Sequence, residues 1–190
     1  SRNLKKIFDP IAADQTLIFQ IEIDDNIPKV FKSDSQRLEQ ILKNLLSNAL
    51  KFTEVGKVDL KIGRPSAGVR FSHSTLKQDT AIAFAVTDTG IGIPPEKQQA
   101  IFESFQQQDG STSRKYGGTG LGLTIARELT RLLGGEIQLA SIPGKGSTFT
   151  LYLPHTLQQQ DIDAVLLPAG SVDSATIVVD ETIVPIKLPS

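Results

Sequence analysis

An apolar stripe between residues 38 and 50 is the most regular pattern in this sequence. Its members recur every three or four positions, at Leu38, Ile41, Leu42, Leu45, Leu46, Ala49 and Leu50. This spacing predicts an amphipathic helix. The Ser-Asp-Ser segment at residues 33–35 supplies residue types that start helices. A helix with one long apolar face must bury that face, so the chain has to fold as at least two packed layers.

Segments in which apolar and polar residues alternate predict the strands. Three of them cover residues 17–23, 58–62 and 82–86, and a further pair, 136–140 and 148–153, flanks a Pro-Gly turn and predicts a hairpin. Sequence-adjacent strands favour antiparallel pairing.

Two further helices follow the third strand. A short one is expected over residues 96–105, and a long one ends at a Gly-Gly pair, as helices often do. The apolar side of the long helix is predicted from Leu121, Ile125, Leu129, Leu132 and Leu133. The predicted fold class is α+β, a two-layer sandwich in which helices pack on one face of a mixed, mostly antiparallel sheet.

Composition divides the chain into three parts. Residues 1–13 are predicted to be the end of an upstream linker or helical segment, 14–155 one domain, and 156–190 a C-terminal tail of unknown role. The polar segment 64–79 is predicted to be an excursion between strands. The chain does not begin with methionine, so we expect it to be a fragment.

Charge and cysteine content exclude several classes of protein. With 20 basic and 21 acidic residues there is no basic excess, so we expect no nucleic-acid partner and no membrane contact by this fragment. The chain has no cysteine, which excludes disulfides and thiolate metal sites. No apolar run approaches the roughly 20 residues that cross a bilayer, and we expect a cytoplasmic domain.

Polar residues on the first long helix form a candidate site. Asn44, Asn48 and Lys51 follow one another at four and three positions, so they share one face. Asparagine is a mediocre helix former, and its amide oxygen suits Mg²⁺. A solvated helix face is the alternative interpretation of this pattern.

The segment Asp88-Thr89-Gly90-Ile91-Gly92-Ile93 ends an apolar strand. A carboxylate in such an apolar setting needs a donor, and an adenine amino group is a suitable one. The neighbouring glycines allow a flat base to approach the backbone closely. Taken in isolation, the segment is better explained as an ordinary Asp-Gly turn. Asp88-Thr89-Gly90 is also the aspartic protease triplet, but that chemistry needs two aspartates on an all-β scaffold.

A glycine cluster, Gly-Gly-Thr-Gly-Leu-Gly-Leu at residues 117–123, leads directly into the second long helix. Free backbone N–H groups at a helix N-terminus favour phosphate. The cluster is not a P-loop, because no Gly-Lys-Ser/Thr ends it.

Together these segments resemble the histidine kinase branch of the superfamily that also holds gyrase, heat-shock chaperones and mismatch-repair ATPases. Residues 38–53 resemble its asparagine box and DTGIGI its first glycine box. IFESF at 101–105 resembles its phenylalanine box, and GGTGLGL its second glycine box. The resemblance covers about residues 14–154. It implies the catalytic domain of a histidine kinase, which binds ATP and Mg²⁺ and donates the γ-phosphate to a histidine on a separate domain.

The resemblance also implies a role for individual residues. Asn48 would ligate Mg²⁺, Asn44 would lie beside the phosphates, Asp88 would bind the adenine amino group, and residues 106–116 would form a flexible lid. Thr148 resembles the hydroxyl that supports the aspartate. Further nucleotide contacts would come from Lys51, Phe52, Gly90, Gly92, Ile93, Gly118, Thr119, Gly120, Leu121 and Gly122.

Two departures from the wider superfamily bear on the reaction. Relatives that hydrolyse ATP usually carry glutamate four residues before the magnesium asparagine, whereas this chain has Asn44, which cannot act as a base at neutral pH. The family often has a basic residue after the phenylalanine box. Here Arg114 and Lys115 are the expected substitutes for contacting the terminal phosphate, and Asn44, Lys51 and Arg114 are the predicted catalytic residues.

The chain carries only two histidines, His73 and His155, and both are predicted to lie at the surface. Neither has the sequence context of the family's phosphoacceptor. The implied partners are therefore the protein's own upstream dimerisation and histidine phosphotransfer domain and a response-regulator receiver domain. The alternatives are an ATP-binding regulatory or pseudokinase module without transfer, a hydrolytic ATPase, and a serine/threonine kinase of the same superfamily.

Overall fold

The computed structural model describes residues 2–28, 31–73, 75–102, 122–155, 175–179 and 182–186. The helices are α1 (Arg2–Asp14), α2 (Ser35–Lys51), α3 (Pro95–Gln98) and α4 (Gly122–Leu132), with a 3-10 turn at Ala100–Phe102. The strands are β1 (Ile18–Ile23), β2 (Lys57–Gly63), β3 (Ala81–Asp88), β4 (Glu136–Ile142), β5 (Gly146–Pro154), β6 (Ala175–Val179) and β7 (Thr182–Ile186). No helix in these ranges is long and apolar enough to span a lipid bilayer.

The strands β1 to β5 form one sheet in the order β1-β2-β3-β5-β4. β1 and β2 are parallel because α2 lies between them and returns the chain to the same end of the sheet. The other neighbours are antiparallel, including the β4–β5 hairpin around Pro143 and Gly144. The predicted mixed, mostly antiparallel sheet is confirmed. β6 and β7 form a separate antiparallel pair in the C-terminal tail.

Helix α2 lies on the sheet through the predicted stripe. All seven apolar residues of the stripe are buried. The helix starts where the sequence indicated, because the Asp34 carboxylate accepts a hydrogen bond from the Arg37 N–H at 3.0 Å and so satisfies one of the exposed donors of the first turn.

Helix α4 packs against α2, and its predicted apolar side is only partly confirmed. Ala126 and Thr130 are its fully buried residues, the predicted Leu129 and Leu133 are partly buried against the main core, and Ile125 and Leu132 are 40% and 68% exposed. Small side chains allow two helices to approach closely, and the Thr130 hydroxyl is satisfied by the Ala126 carbonyl at 2.7 Å. The predicted 96–105 helix is also shorter: α3 and the 3-10 turn replace it, and residues 103–105 lie outside the described residues.

Helix α1 belongs to the same packed body as the sheet. Its Leu4, Phe8 and Ala12 are buried in the main core, and the Phe8 ring meets Phe19 edge-on at 6.1 Å. Residues 1–13 were expected to be linker or helix, and those that are described are helical. We propose that the domain begins at α1 rather than at residue 14.

The excursion at 64–79 forms a small second core on the face of the sheet opposite α2. Val69, Phe71 and Leu76 pack there with Tyr152, whose ring is 5.2 Å from that of Phe71. The excursion is anchored on β4, because the N–H groups of Ser72 and His73 both donate to the Glu136 carboxylate. The segment is thus an excursion between β2 and β3, as predicted, and it is partly buried against the sheet.

The two histidines differ in environment. His73 is exposed as predicted, whereas His155 is only 3% exposed and its ring lies 5.8 Å from that of Phe31. The prediction of a surface position for His155 is wrong. The strand β5 runs to Pro154, and the next residue, His155, is buried beside Phe31 of the main core.

Candidate functional site

The polar face of α2 meets the first turn of α4. A Cβ placed on Gly122, the first residue of α4, would lie 3.8 Å from the Asn44 side chain. The Asn44 Nδ2 is buried and has no hydrogen-bond partner among the described residues, and the same holds for the Thr124 hydroxyl. A buried donor without an acceptor is unfavourable. The arrangement therefore suits a ligand that brings acceptor oxygens to the start of α4.

The end of α2 is joined to the segment that follows β3. Phe52 caps the helix through its N–H, which donates to the Asn48 carbonyl, and its own carbonyl accepts from the Ile91 N–H at 3.2 Å. The Lys51 ammonium lies 5.1 Å from the centre of the Phe52 ring. These contacts bring the asparagine face and the Asp88 segment into one site.

Asp88 is the last residue of β3 and is only 7% exposed. Its Oδ1 accepts hydrogen bonds from the Gly90 N–H at 2.9 Å and the Ser147 N–H at 3.3 Å. Burial raises the pKa of this carboxyl, and the two N–H donors oppose the increase. Both bonds use the same oxygen, so within the described residues Oδ2 is left to accept from a ligand.

The two glycines after Asp88 sit where side chains have no room. A Cβ on Gly90 would overlap the Phe52 carbonyl, and one on Gly92 would overlap the Ile142 carbonyl. Gly92 also has a φ of 67°, which other residues rarely adopt. The glycines therefore allow the segment after Asp88 to lie directly against α2 and β4.

Thr148, whose hydroxyl was expected to support Asp88, is not the residue that lies opposite Asp88. The Thr148 hydroxyl lies 3.1 Å from that of Thr87, on the other face of the sheet from Asp88. Ser147 is the residue paired with Asp88 across the β3–β5 ladder. The predicted contact between Thr148 and Asp88 is therefore wrong. Side chains alternate between the two faces of a strand, so Ser147 lies on the same face as the core residues Phe149 and Leu151. This alternation was the sequence signal that would have placed Ser147, and not Thr148, beside Asp88.

Ser141 and Gln98 were missed by the sequence analysis. The Ser141 hydroxyl accepts from the Ile93 N–H at 2.8 Å, and the Gln98 amide donates to the Ile93 carbonyl at 2.9 Å. A lone serine and a lone glutamine carry no motif, so only the fold shows that they meet at Ile93.

The structure brings together the predicted residues Asn44, Asn48, Lys51, Phe52, Asp88, Gly90, Gly92, Ile93 and Gly122 around the ends of α2, β3 and β4 and the start of α4. Arg114, Lys115, Gly118, Thr119, Gly120, Leu121 and the 106–116 lid lie outside the described residues. Their predicted roles remain predictions.

Asp88→Asn is expected to make the ligand-free protein at least as stable as the wild type at neutral pH. A raised pKa means that the folded state holds the Asp88 proton more tightly than the unfolded state, whose pKa is near 3.8. The contribution of this group to stability therefore falls as the pH rises through the window from 3.8 to the raised pKa. The advantage of the variant should shrink as the pH is lowered from about 7 to about 4.5. Urea unfolding of both proteins across this range tests the sign, and an advantage that grows on acidification would contradict it.

Comparison with known proteins identifies the family. Residues 33–157 match the family described as histidine kinase-, DNA gyrase B- and HSP90-like ATPase. The chain is 43% identical over 159 residues to the circadian input-output histidine kinase CikA of Synechococcus elongatus, covering 83% of this chain and 19% of CikA. It is 38% identical over 174 residues to the autoinducer 2 sensor kinase/phosphatase LuxQ of Vibrio harveyi, covering 88% of this chain and 18% of LuxQ.

Solved structures agree with this assignment. Full-length ShkA in complex with AMPPNP superposes with a TM-score of 0.67 at 29% identity, over 83% of this chain and 29% of ShkA. The catalytic domain of histidine kinase ThkA gives 0.62 at 26% identity, over 82% of this chain and 90% of that domain. The chain belongs to the histidine kinase-, gyrase B- and HSP90-like ATPase family, in its histidine kinase branch. It spans less than a quarter of the length of the two curated relatives.

Proposed function

We propose that this domain binds Mg-ATP and donates the γ-phosphate to a histidine on a separate dimerisation and phosphoacceptor domain of a two-component sensor kinase, which a receiver domain can extend into a hybrid kinase. The observation that carries the proposal is the pairing of two features in one site. A buried carboxylate, Asp88, lies at one side, and the polar face of α2 meets the start of α4 at the other. The AMPPNP complex of a relative supports ATP as the ligand.

The residues present fit a magnesium nucleotide. The buried Asn44 Nδ2 offers a donor for a phosphate oxygen. No group of three or more His, Asp or Glu side chains able to hold a metal occurs in the described part of the chain. This suits Mg²⁺ carried in with the phosphates and held by one amide oxygen, for which Asn48 is the proposed ligand. When bound, the ion neutralises charge on the phosphates.

The chain's own residues orient the nucleotide and keep water unactivated. Asp88 accepts from the amino group of the base through Oδ2, while Oδ1 stays fixed by two backbone donors. Lys51, at the end of α2, supplies positive charge beside the phosphates, and Arg114 is the proposed lid contact. Asn44 occupies the position where a carboxylate would activate water, and an amide cannot accept that proton. The phosphate is thereby reserved for another acceptor.

The acceptor is proposed to lie on another domain. His73 lies on the excursion, where its N–H donates to Glu136 of β4, and His155 is buried beside the Phe31 ring. The partners proposed are the protein's own upstream helical domain and a receiver domain, both in the cytoplasm. An ATP-binding module without transfer is the second candidate function.

Trans-phosphorylation tests the proposal. Labelled ATP with the isolated chain is expected to give negligible incorporation, and incorporation should appear when a dimeric histidine-bearing helical domain is added. The same mixture without Mg²⁺ is the control. Robust labelling of the isolated chain would contradict the proposal, and tight ATP binding with no transfer to any such domain would favour the second candidate.

A further inference from the structure

Two side chains outside the predicted motifs form hydrogen bonds with the backbone of Ile93, one with its N–H and one with its carbonyl. On one side the Ile93 N–H donates to the Ser141 hydroxyl of β4 at 2.8 Å. On the other, the Gln98 amide at the end of α3 donates to the Ile93 carbonyl at 2.9 Å and to the Ser141 carbonyl at 3.2 Å. We call Ser141 and Gln98 the Ile93 bracket. It fixes the direction of the backbone that follows Gly92.

The bracket is continuous with Asp88. The Ser141 hydroxyl lies 3.0 Å from both the Gly146 carbonyl and the Ser147 hydroxyl, and the Ser147 N–H donates to Asp88 Oδ1. A hydroxyl has one hydrogen to donate, so Ser141 directs it either to Gly146 or to Ser147. In either case Ser141 can accept from Ile93 at the same time. Hydrogen bonds therefore run from Gln98 to the carboxylate.

Helix α3 depends on such contacts for its position. It has four residues, and Pro94 at its start makes no side-chain cap. So short a helix has no stability of its own. The Gln98 bonds therefore position α3 on β4 as well as fixing Ile93, which links the Asp88 end of the site to the chain leading into the 3-10 turn.

We propose that Ser141 and Gln98 are positioning residues for the base end of the nucleotide pocket. They set the Gly92–Ile93 backbone against which the base lies, and so determine nucleotide affinity without contacting the phosphates. This inference rests on the proposed function, since it takes the Asp88 end of the site to hold the base.

Ser141→Ala and Gln98→Met test the bracket in the full 190-residue chain. Each variant loses one hydrogen bond to the Ile93 backbone, and each is expected to raise the Kd by about 5- to 10-fold. Because the defect lies at the base, the factor should be the same for ATP, ADP and adenosine in calorimetry. Trans-phosphorylation should show a raised KM for ATP with kcat within about twofold of wild type. Gln99→Met is the matched control, since Gln99 is an exposed neighbour of the same residue type.

Gln98 is partly exposed, so Gln98→Met should fold even if Ser141→Ala proves unstable. Unchanged Kd values in Gln98→Met would therefore overturn the inference. A loss confined to ATP, or a fall in kcat with KM unchanged, would also overturn it, because either result places the defect at the phosphates. Failure of the wild-type chain to bind ATP would instead refute the proposed function.

Discussion

Replacing Asp88 by asparagine is expected to weaken ATP binding by about 100-fold, since a buried hydrogen bond to a charged group contributes about 1.5–3 kcal/mol. The oxygen of the introduced amide would remain with the Gly90 and Ser147 N–H groups, which hold Oδ1 in the wild type. The NH₂ of that amide would then face the amino group of the adenine, placing donor against donor. The loss therefore exceeds that of a simple deletion of one hydrogen bond.

Calorimetric titration of wild type and variant with ATP and with GTP measures this effect. The wild type should prefer ATP, and the variant should lose most of that preference. Asp59→Asn is the control, because Asp59 is a carboxylate on β2 of the same sheet, lies 2.6 Å from the Lys57 ammonium, and is placed by strand alternation on the opposite face from Asp88. Equal affinity of wild type and Asp88→Asn, or no wild-type preference for adenine, would refute the role of Asp88.

The second large effect is expected at Asn48. Asn48→Ala should lower the rate of phosphate transfer in Mg²⁺ by about 100-fold or more, since metal stabilisation of the transferring group is worth several kcal/mol and each 1.36 kcal/mol is tenfold. The side-chain amide is the only group that the alanine variant loses. Stability should change little, because Asn48 is partly exposed on the polar face of α2.

Single-turnover transfer to an added histidine-bearing domain, over a range of Mg²⁺ concentrations, separates metal binding from folding. Ser47→Ala is the control, as Ser47 is the exposed preceding residue on the same helix. If Asn48→Ala keeps the wild-type rate and Mg²⁺ dependence, the metal is held elsewhere.

The fold was largely predictable because its determinants are local and periodic. The stripe of α2 has a long uninterrupted period, so its seven residues and their burial follow from spacing alone. The alternation of apolar and polar residues in β2 and β3 likewise predicted these strands from spacing alone. The parallel pairing of β1 and β2 follows from the helix between them.

Features set by tertiary packing were not predictable in the same way. On α4, the predicted Leu129 and Leu133 do pack against the core, but the fully buried residues are Ala126 and Thr130, and Ile125 and Leu132 are exposed. The burial of His155 depends on what packs over the end of β5, which no local pattern encodes. The second core under the excursion arises because Phe71 meets a tyrosine far along the chain.

The same distinction applies to the site residues. Asp88 and Asn44 were predictable because they lie in motifs whose residue types indicate their chemistry, and the structure brings both to one site. The error at Thr148 is one of register. Neighbouring side chains on a strand point to opposite faces, so a shift of one position places the hydroxyl on the wrong face of the sheet. Ser141 and Gln98 act through contacts that bring separate parts of the chain together, and only the folded chain reveals them.

The tight fit around Gly90 and Gly92 restricts how this protein can be redesigned. Neither position accepts even a methyl group, since main-chain carbonyls of Phe52 and Ile142 occupy the space. Attempts to alter nucleotide selectivity by enlarging residues there would push secondary-structure elements apart instead of reshaping the cavity wall. Engineering for a different base should therefore begin at side-chain positions such as Ser147 and leave the glycine backbone unchanged.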